Sequence, residues 1–466
     1  MPQRLRTRVA APVRAIALAG SVLLLLAVIP PYGARARAAN AARADAPVPA
    51  TRPVAPLFRD FMGVCGHTVQ FRPELYRPTC RLVRDYHSLS WDVGDDTSFR
   101  PQFPFARNRV DWSKVYGSWR EAGFETDVSI QFNETPPDKW ADLPRDAHAY
   151  GLAFARYFGP GGKALVTSAE IGNEPGLYDD ARYRLLFEHM ARGLREGDPK
   201  LKILPANMTV EPSGRYTKNV ECVRRLEHLY DALRTQTYAQ TEGWPTWRRT
   251  YPEDPNPKNR FLVNVRDLLA WRDRNAPGKP VWVTEFGWDA STKPAPKEGT
   301  FKQWVGSTET EQARYLVRSF FIFSGMGVER AYVFFFNDED EPSVHASAVL
   351  TRHFKPKPAY WAMAHLYATL GDYRFERIVS EAPGGAYAYE FRHGTDPAKR
   401  VWAAWLATGS NRSAEQVIDL GAGAEVARAE RMPLAEGKAE PVAWEPAGAG
   451  KVRLTLDESP VYLWGR

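Results

Sequence analysis

From about residue 57 onward, short apolar runs alternate with longer stretches whose apolar positions recur every three to four residues. The short runs predict strands at 61–64, 81–87, 125–131, 166–171, 202–206, 232–238, 281–285 and 330–336. The longer stretches predict helices at 110–124, 146–159, 179–196, 259–275, 308–326 and 358–371. Residues 179–196, DDARYRLLFEHMARGLRE, open on acidic side chains and turn basic later, as the helix dipole favours. Eight strands alternating with helices predict an α/β fold, a (β/α)8 barrel spanning 57–371. A doubly wound open sheet would give the same alternation. Against it, no glycine-rich phosphate loop follows the first strand, and the strands end on carboxylates and aromatics.

After Asp372 the pattern changes. AYAYEFRH, RVWAAWLA, EQVIDLG and KVRLTLDESPVYLWG are short, often alternating runs with no long helix between them. They predict a small antiparallel β-sandwich over 372–466. Such an appendage either binds carbohydrate or packs against the barrel, and the structural role is the expectation here.

The first residues follow another pattern. Arg4, Arg6, Arg8 and Arg14 precede the apolar run AIALAGSVLLLLAVI, and small residues follow around Ala36–Ala38. This is the layout of a signal peptide or N-terminal anchor over 1–38, followed by an Ala/Pro-rich linker over 39–56. Export, to the periplasm or beyond the cell, is therefore expected, with membrane contact only through an uncleaved leader. Of the formal charge of +7, six arginines belong to residues 1–38, leaving +1 for the rest. A near-neutral body gives no reason to expect nucleic acid as a partner. The three cysteines, Cys65, Cys80 and Cys222, make no disulfide framework and no metal-ligand spacing, so no metal or cofactor is expected. One bridge with a free thiol, or three buried thiols, both fit.

The chemistry concentrates in two stretches. AEIGNEPG (169–176) stops a strand on Asn173 and Glu174, and PVWVTEFGWD (280–289) breaks an apolar run on Glu285. In a barrel, the loops after the strand C-termini form the reactive face. The ends of the fourth and seventh strands lie across that mouth from each other, so the two carboxylates can converge. Paired carboxyls are what glycoside hydrolysis needs, about 5–5.5 Å apart for retention and wider for inversion. The turn-forming character of Asn, Pro and Gly offers a plainer reading of either stretch alone, but not of both at matching strand ends.

Asn173-Glu174-Pro175 and Thr284-Glu285-Phe286-Gly287 resemble the two signature motifs of clan A glycoside hydrolases, retaining (β/α)8 enzymes. Within that clan the layout looks most like family 39 or family 5 relatives, including exopolysaccharide hydrolases. The resemblance implies Glu285 as nucleophile, Glu174 as acid/base, and Asn173 as a partner of the sugar 2-hydroxyl. It implies that Tyr238, at the end of strand six, and Arg84, on strand two, touch the nucleophile. His67 and His87, near the ends of the first two strands, are candidates to bind substrate hydroxyls. Trp288 is a candidate stacking surface, with Trp91, Trp140, Trp244 and Trp247 in neighbouring loops. Clan members commonly place a Trp at the end of strand eight. Here Phe335, Phe336 or Asn337 stands in that region. The expected substrate is a β-linked oligo- or polysaccharide. A transglycosidase, or a non-catalytic polysaccharide-binding protein on the same scaffold, are the alternatives.

Overall fold

Eight parallel strands, nearly all of their residues buried, form the inner wall of the protein. They are β1 (Met62–Cys65), β2 (Leu82–Ser88), β3 (Glu125–Gln131), β4 (Ser168–Ile171), β5 (Lys202–Leu204), β6 (Leu233–Gln236), β7 (Val281–Phe286) and β8 (Arg330–Val333). A computed structural model describes residues 54–66, 72–345, 350–437 and 439–466. The leader, almost all of the linker, and His67 lie outside the described residues. Hydrogen-bonded neighbours run β5-β4-β3-β2-β1-β8-β7-β6, a nearly closed barrel. Side chains bridge the seam between its two ends. Arg234 Nε donates to the Pro205 carbonyl at 2.8 Å, and Asn207 and Gln236 exchange bonds of 2.8 and 3.2 Å.

Two layers fill the barrel's lower and middle parts. Leu82, Leu204, Ala232, Trp282 and Tyr332 make an apolar floor. Tyr332 crosses so close to Gly63 that a Cβ there would sit 2.3 Å from its ring, which only glycine avoids. Above the floor lie Arg84, Asp127, Glu170 and Arg234, all buried and charged by type. A barrel interior is usually filled by branched apolar side chains, so a charged layer marks this one for chemistry.

The six predicted helices form at Trp112–Glu121, Leu143–Phe158, Asp180–Gly197, Phe261–Asn275, Glu309–Met326 and Pro358–Leu370. Asp111, Asp142 and Asp179 cap the first three with side-chain oxygens, and Thr308 with Glu311 forms a capping box on the fifth. Among the described residues no helix is long and apolar enough to cross a membrane.

From Tyr373 onward the strands are antiparallel, in two facing sheets. Tyr373–Glu381, Ala386–His393, Arg400–Leu406, Val461–Gly465 and Val426–Arg431 pair in that order in one sheet. Ala414–Asp419 and Lys451–Leu456 belong to the other. Trp402, Leu406, Ile418, Leu454 and Leu463 close the space between them. The larger sheet turns its other face to the helix Glu309–Met326. Phe321 stacks on Trp405 at 5.5 Å and meets Phe391 at 5.4 Å. Buried Arg318 pairs with Glu253, whose Oε1 also accepts a 2.6 Å bond from Trp405 Nε1. The cysteines are three separate buried thiols, each pushed up to about 12 by burial.

Candidate active site

β4 carries Glu170 inward and then must turn Asn173 and Glu174 over the barrel mouth. Gly172 makes that turn with φ +87°, where an added Cβ would lie 2.7 Å from Phe132. Arg234 fixes the turn from across the barrel. Its Nη2 donates to the carbonyls of Gly172 and Asn173, the second at 3.1 Å, while Nη1 reaches Thr284 Oγ1 at 2.9 Å. One buried guanidinium thus ties the strand bearing Glu174 to the strand bearing Glu285. Gly172→Ala is expected to lower stability by about 2 kcal/mol, from left-handed strain plus the clash. Urea unfolding reads it, and an unchanged midpoint would mean the turn relaxes freely.

Glu285 reaches the interior through a bulge. Thr235 and Gln236 of β6 pair with Val283 and Glu285, and Ala331 and Val333 of β8 pair with Val283 and Phe286. β7 therefore holds one extra residue at this point. Without it, strand alternation would send Glu285 outward with Val281 and Val283. With it, Thr284 and Glu285 both face the barrel, while Phe286 packs outward on Phe320 and Phe323.

Three donors surround the Glu285 carboxylate. Arg84 Nη1 and Tyr86 Oη donate to Oε1 at 2.9 and 2.7 Å, and Tyr238 Oη donates to Oε2 at 3.0 Å. Burial pushes both phenols well above their usual range, so they remain donors. Arg84 is the hub. Its other nitrogens make a bidentate pair with Glu170, at 2.9 and 2.7 Å, and bond Asn173 Oδ1 at 2.9 Å. Gln236 Nε2 also donates to that oxygen, at 2.6 Å. Both partners of the Asn173 carbonyl oxygen are donors, which directs its amide N–H₂ the other way as a donor. The Arg249 guanidinium lies 4.7 Å from the Tyr238 ring and is held by Asp289 at 3.0 Å. His345 meets the Tyr238 ring edge-on at 4.5 Å.

Glu174 sits in a different environment. Burial first, and the neighbouring Glu285 second, push its carboxyl up to about 8, against the pull of Arg234, Arg84 and Arg215. Below it, burial and the adjacent Glu170 push Asp127 well above the usual carboxyl range, so Asp127 stays neutral. The buried set then balances, with Arg84 and Arg234 positive and Glu170 and Glu285 negative. Such balance is what lets buried charges persist.

Of the residues expected at the site, Glu174, Glu285, Asn173, Arg84 and Tyr238 come together. His87 and Trp288 do not. His87 follows Tyr86, so alternation turns it to the outside of β2. There it is fully buried, with Nε2 2.6 Å from Asp92, Nδ1 3.0 Å from Tyr116 and its ring stacked on Trp112 at 4.0 Å. Trp288 is also fully buried, wedged against Phe261 and Phe286, with Nε1 donating to the Thr250 carbonyl at 2.7 Å. It presents no face to a ligand. At the end of strand eight, Phe336 stacks on Tyr76 and Asn337 accepts bonds from Thr351 and Phe354. The aromatic beside the site is instead Phe334, edge-on to Tyr86 at 6.3 Å and to His345 at 5.8 Å. Tyr86, Gln236, Arg234 and Glu170 were not anticipated. Tyr86 lies two residues from Arg84 on β2, and Gln236 two before Tyr238 at the end of β6, so the two-residue period of a strand carried their signal. The Gly172 turn breaks that period between Glu170 and Glu174.

No protein-family model matches the chain, and neither does any curated protein sequence. Solved structures do. A family 39 glycoside hydrolase from the gut symbiont Bacteroides cellulosilyticus aligns with TM-score 0.64 at 17% identity, over 87% of this chain and 80% of that one. A glucosidase from Croceicoccus marinus aligns with TM-score 0.60 at 14% identity, over 89% and 97%. A family 51 α-L-arabinofuranosidase from Bifidobacterium longum aligns with TM-score 0.58 at 13% identity, over 89% and 97%. The chain shares their fold, the barrel that the motifs pointed to.

Proposed function

We propose that the protein is an exported retaining glycoside hydrolase that cleaves a β-linked oligo- or polysaccharide by double displacement. One observation carries the reading: two carboxyls at the ends of β4 and β7 sit in opposite environments. Glu174 holds its proton to about pH 8, while a guanidinium and two phenols point their donors at Glu285. Splitting two carboxyls in this way assigns acid and nucleophile. The glycoside hydrolases that share the fold agree with this class of reaction.

In the first step a Glu285 oxygen bonds to the anomeric carbon as the bond to the leaving oxygen breaks. Oε2 has one donor and Oε1 two, so Oε2 is the freer to attack. Glu174 gives its proton to the leaving oxygen and becomes a carboxylate. In the second step that carboxylate takes a proton from water, the hydroxide oxygen bonds to the anomeric carbon, and Glu285 departs. Asn173, oriented by Arg84 and Gln236, offers its N–H₂ to the sugar 2-hydroxyl, a contact that strengthens as positive charge builds on the ring. Export rests on the basic, then apolar, N-terminal pattern.

The test is stereochemical. The purified protein is incubated with a panel of β-linked glycans, and proton NMR follows the first-formed hemiacetal. The β-anomer is expected to appear before mutarotation. An α-anomer as first product would replace retention by inversion, and no released reducing end from any glycan would remove the hydrolase reading.

A further inference from the structure

The loop that leaves β2, residues 89–111, exposes three aromatic side chains: Trp91 and Phe99 at 38% and Phe105 at 60%. Scattered exposed aromatics need no explanation, but three on one loop beside a cleft do. Trp91 is not loosely held. Its ring lies 6.0 Å from that of Trp112 at an angle of 25°. Trp112 is fully buried and donates from Nε1 to Asp92 Oδ1 at 2.9 Å. Asp92 also binds His87 at 2.6 Å and Tyr150 at 2.7 Å. The His87 pair, absent from the catalytic centre, thus anchors the base of this loop and holds a flat indole ready at the surface.

Beside Trp91 opens a cavity of about 470 Å³ lined by Ser90, Trp91, Asp95, Asp96, Arg107 and Asn108. It is wide open to solvent, a surface groove that could take one unit of a longer chain rather than an enclosed pocket. Arg107 is fixed by a 3.1 Å bond to the Val93 carbonyl and lies 4.9 Å over Phe99. Asp96 accepts from Ser98 N and Oγ at 3.0 and 2.6 Å. The cleft stands at the C-terminal end of β2, the same end of the barrel as Glu285. Ser90 Oγ donates to Glu134 Oε2 at 2.6 Å, joining it to the loop after β3.

We propose that this cleft is an outlying subsite for a neutral pyranose unit of the glycan cut at Glu174 and Glu285. It rests on the glycosidase reading for its class of ligand. A pyranose has an apolar C–H face that fits an indole and a rim of hydroxyls that need donors and acceptors. Trp91 supplies the first, and Asp95, Asp96, Asn108 and Arg107 supply the second. Two carboxylates against one guanidinium repel a uronic acid, which selects neutral sugars. The loop site lengthens the grip on a polymer without touching the reacting atoms.

Affinity electrophoresis tests it, in gels cast with arabinoxylan, barley β-glucan, glucomannan or galactomannan, and with polygalacturonate as the acidic polymer. Wild type is expected to be retarded by at least one neutral polymer, and Trp91→Ala to bind it at least about tenfold more weakly. Asp95→Ala, at an exposed position outside the packed base, is expected to weaken it too, and thermal melts confirm that both variants fold. Glu285→Gln keeps the retardation. Equal retardation of wild type and both folded variants, retardation by polygalacturonate alone, or none with any polymer overturns the subsite. Trp91-dependent retardation without any released reducing end would remove the glycosidase reading and leave Trp91 as the sugar-binding site of a non-catalytic protein.

Discussion

Glu285→Gln is expected to lower turnover by on the order of 10⁴-fold or more while leaving the protein folded. The amide has the shape of the carboxylate but cannot attack the anomeric carbon. Its oxygen can still accept from Arg84 and Tyr86, and its N–H₂ can donate to the Tyr238 oxygen, which is free to accept once its own proton rotates away. The lost negative charge would unbalance two buried guanidiniums, and Glu174 can restore it. Glu285 is one of the two causes holding the Glu174 carboxyl up, so its removal lets Glu174 ionise at lower pH. The measurement is kcat on the best glycan of the panel, beside a thermal melt, with the variant checked for wild-type contamination. Residual turnover above about a tenth of wild type would exclude Glu285 as the nucleophile, because removing a true nucleophile costs far more. Glu285→Ala would be the less informative variant, since it leaves Arg84 and Tyr86 facing a void.

How much of this site the sequence carried differs residue by residue. Asn173 and Glu174 were readable because Gly172, Pro175 and Gly176 mark an abrupt strand end, and a carboxylate there has few other uses. Glu285 was readable as the carboxylate that breaks an apolar strand, and from its motif, but not from strand alternation. Strict alternation along Val281–Phe286 places it on the outer face, and the bulge that turns it inward depends on pairing with β6 and β8, which a single strand does not encode. Arg84 and Tyr238 were placed by resemblance, but the rule that residues two apart share a face would have added Tyr86 and Gln236 from them. The same rule would have turned His87 away. Trp288 was misplaced for another reason: the chain after β7 folds back into the core against Phe261, and loop path is a tertiary property. Strand ends show the same limit. The β6 ladder stops at Gln236 and that of β8 at Val333, short of the apolar runs that predicted them. Beyond them Tyr238 and Phe334 turn to the site, while Thr237 bonds the Phe261 carbonyl and Phe336 packs on Tyr76.

Glu174→Gln is expected to lower kcat/KM by roughly 10²–10⁴-fold on glycosides with poor leaving groups and to spare kcat/KM on activated ones, since only the former need a proton to leave, while kcat falls on both because the second step loses its base. The wild-type alkaline limb should fall near pH 8, where Glu174 loses the proton it must donate, and the variant should lack that limb. The same raised carboxyl makes a statement about stability. Its ordinary value is 4.5 and its folded value about 8. Below 4.5 the group is protonated in both states and contributes nothing. As pH rises from there to about 8, the unfolded chain releases the proton and the folded protein keeps it, so stability falls with pH. Above about 8 both states are ionised and the full penalty is constant. At pH 7 the penalty is at most about 3 kcal/mol, less whatever solvent reaching the cleft screens. Glutamine carries no such penalty at any pH. Wild type and Glu174→Gln should therefore unfold at similar denaturant concentrations near pH 4.5, and the variant should become the more stable of the two as pH rises toward 8. Parallel urea titrations at several pH values read this without any substrate. A stability difference that stays flat with pH would mean Glu174 titrates normally, and the acid role would then have to come from another group.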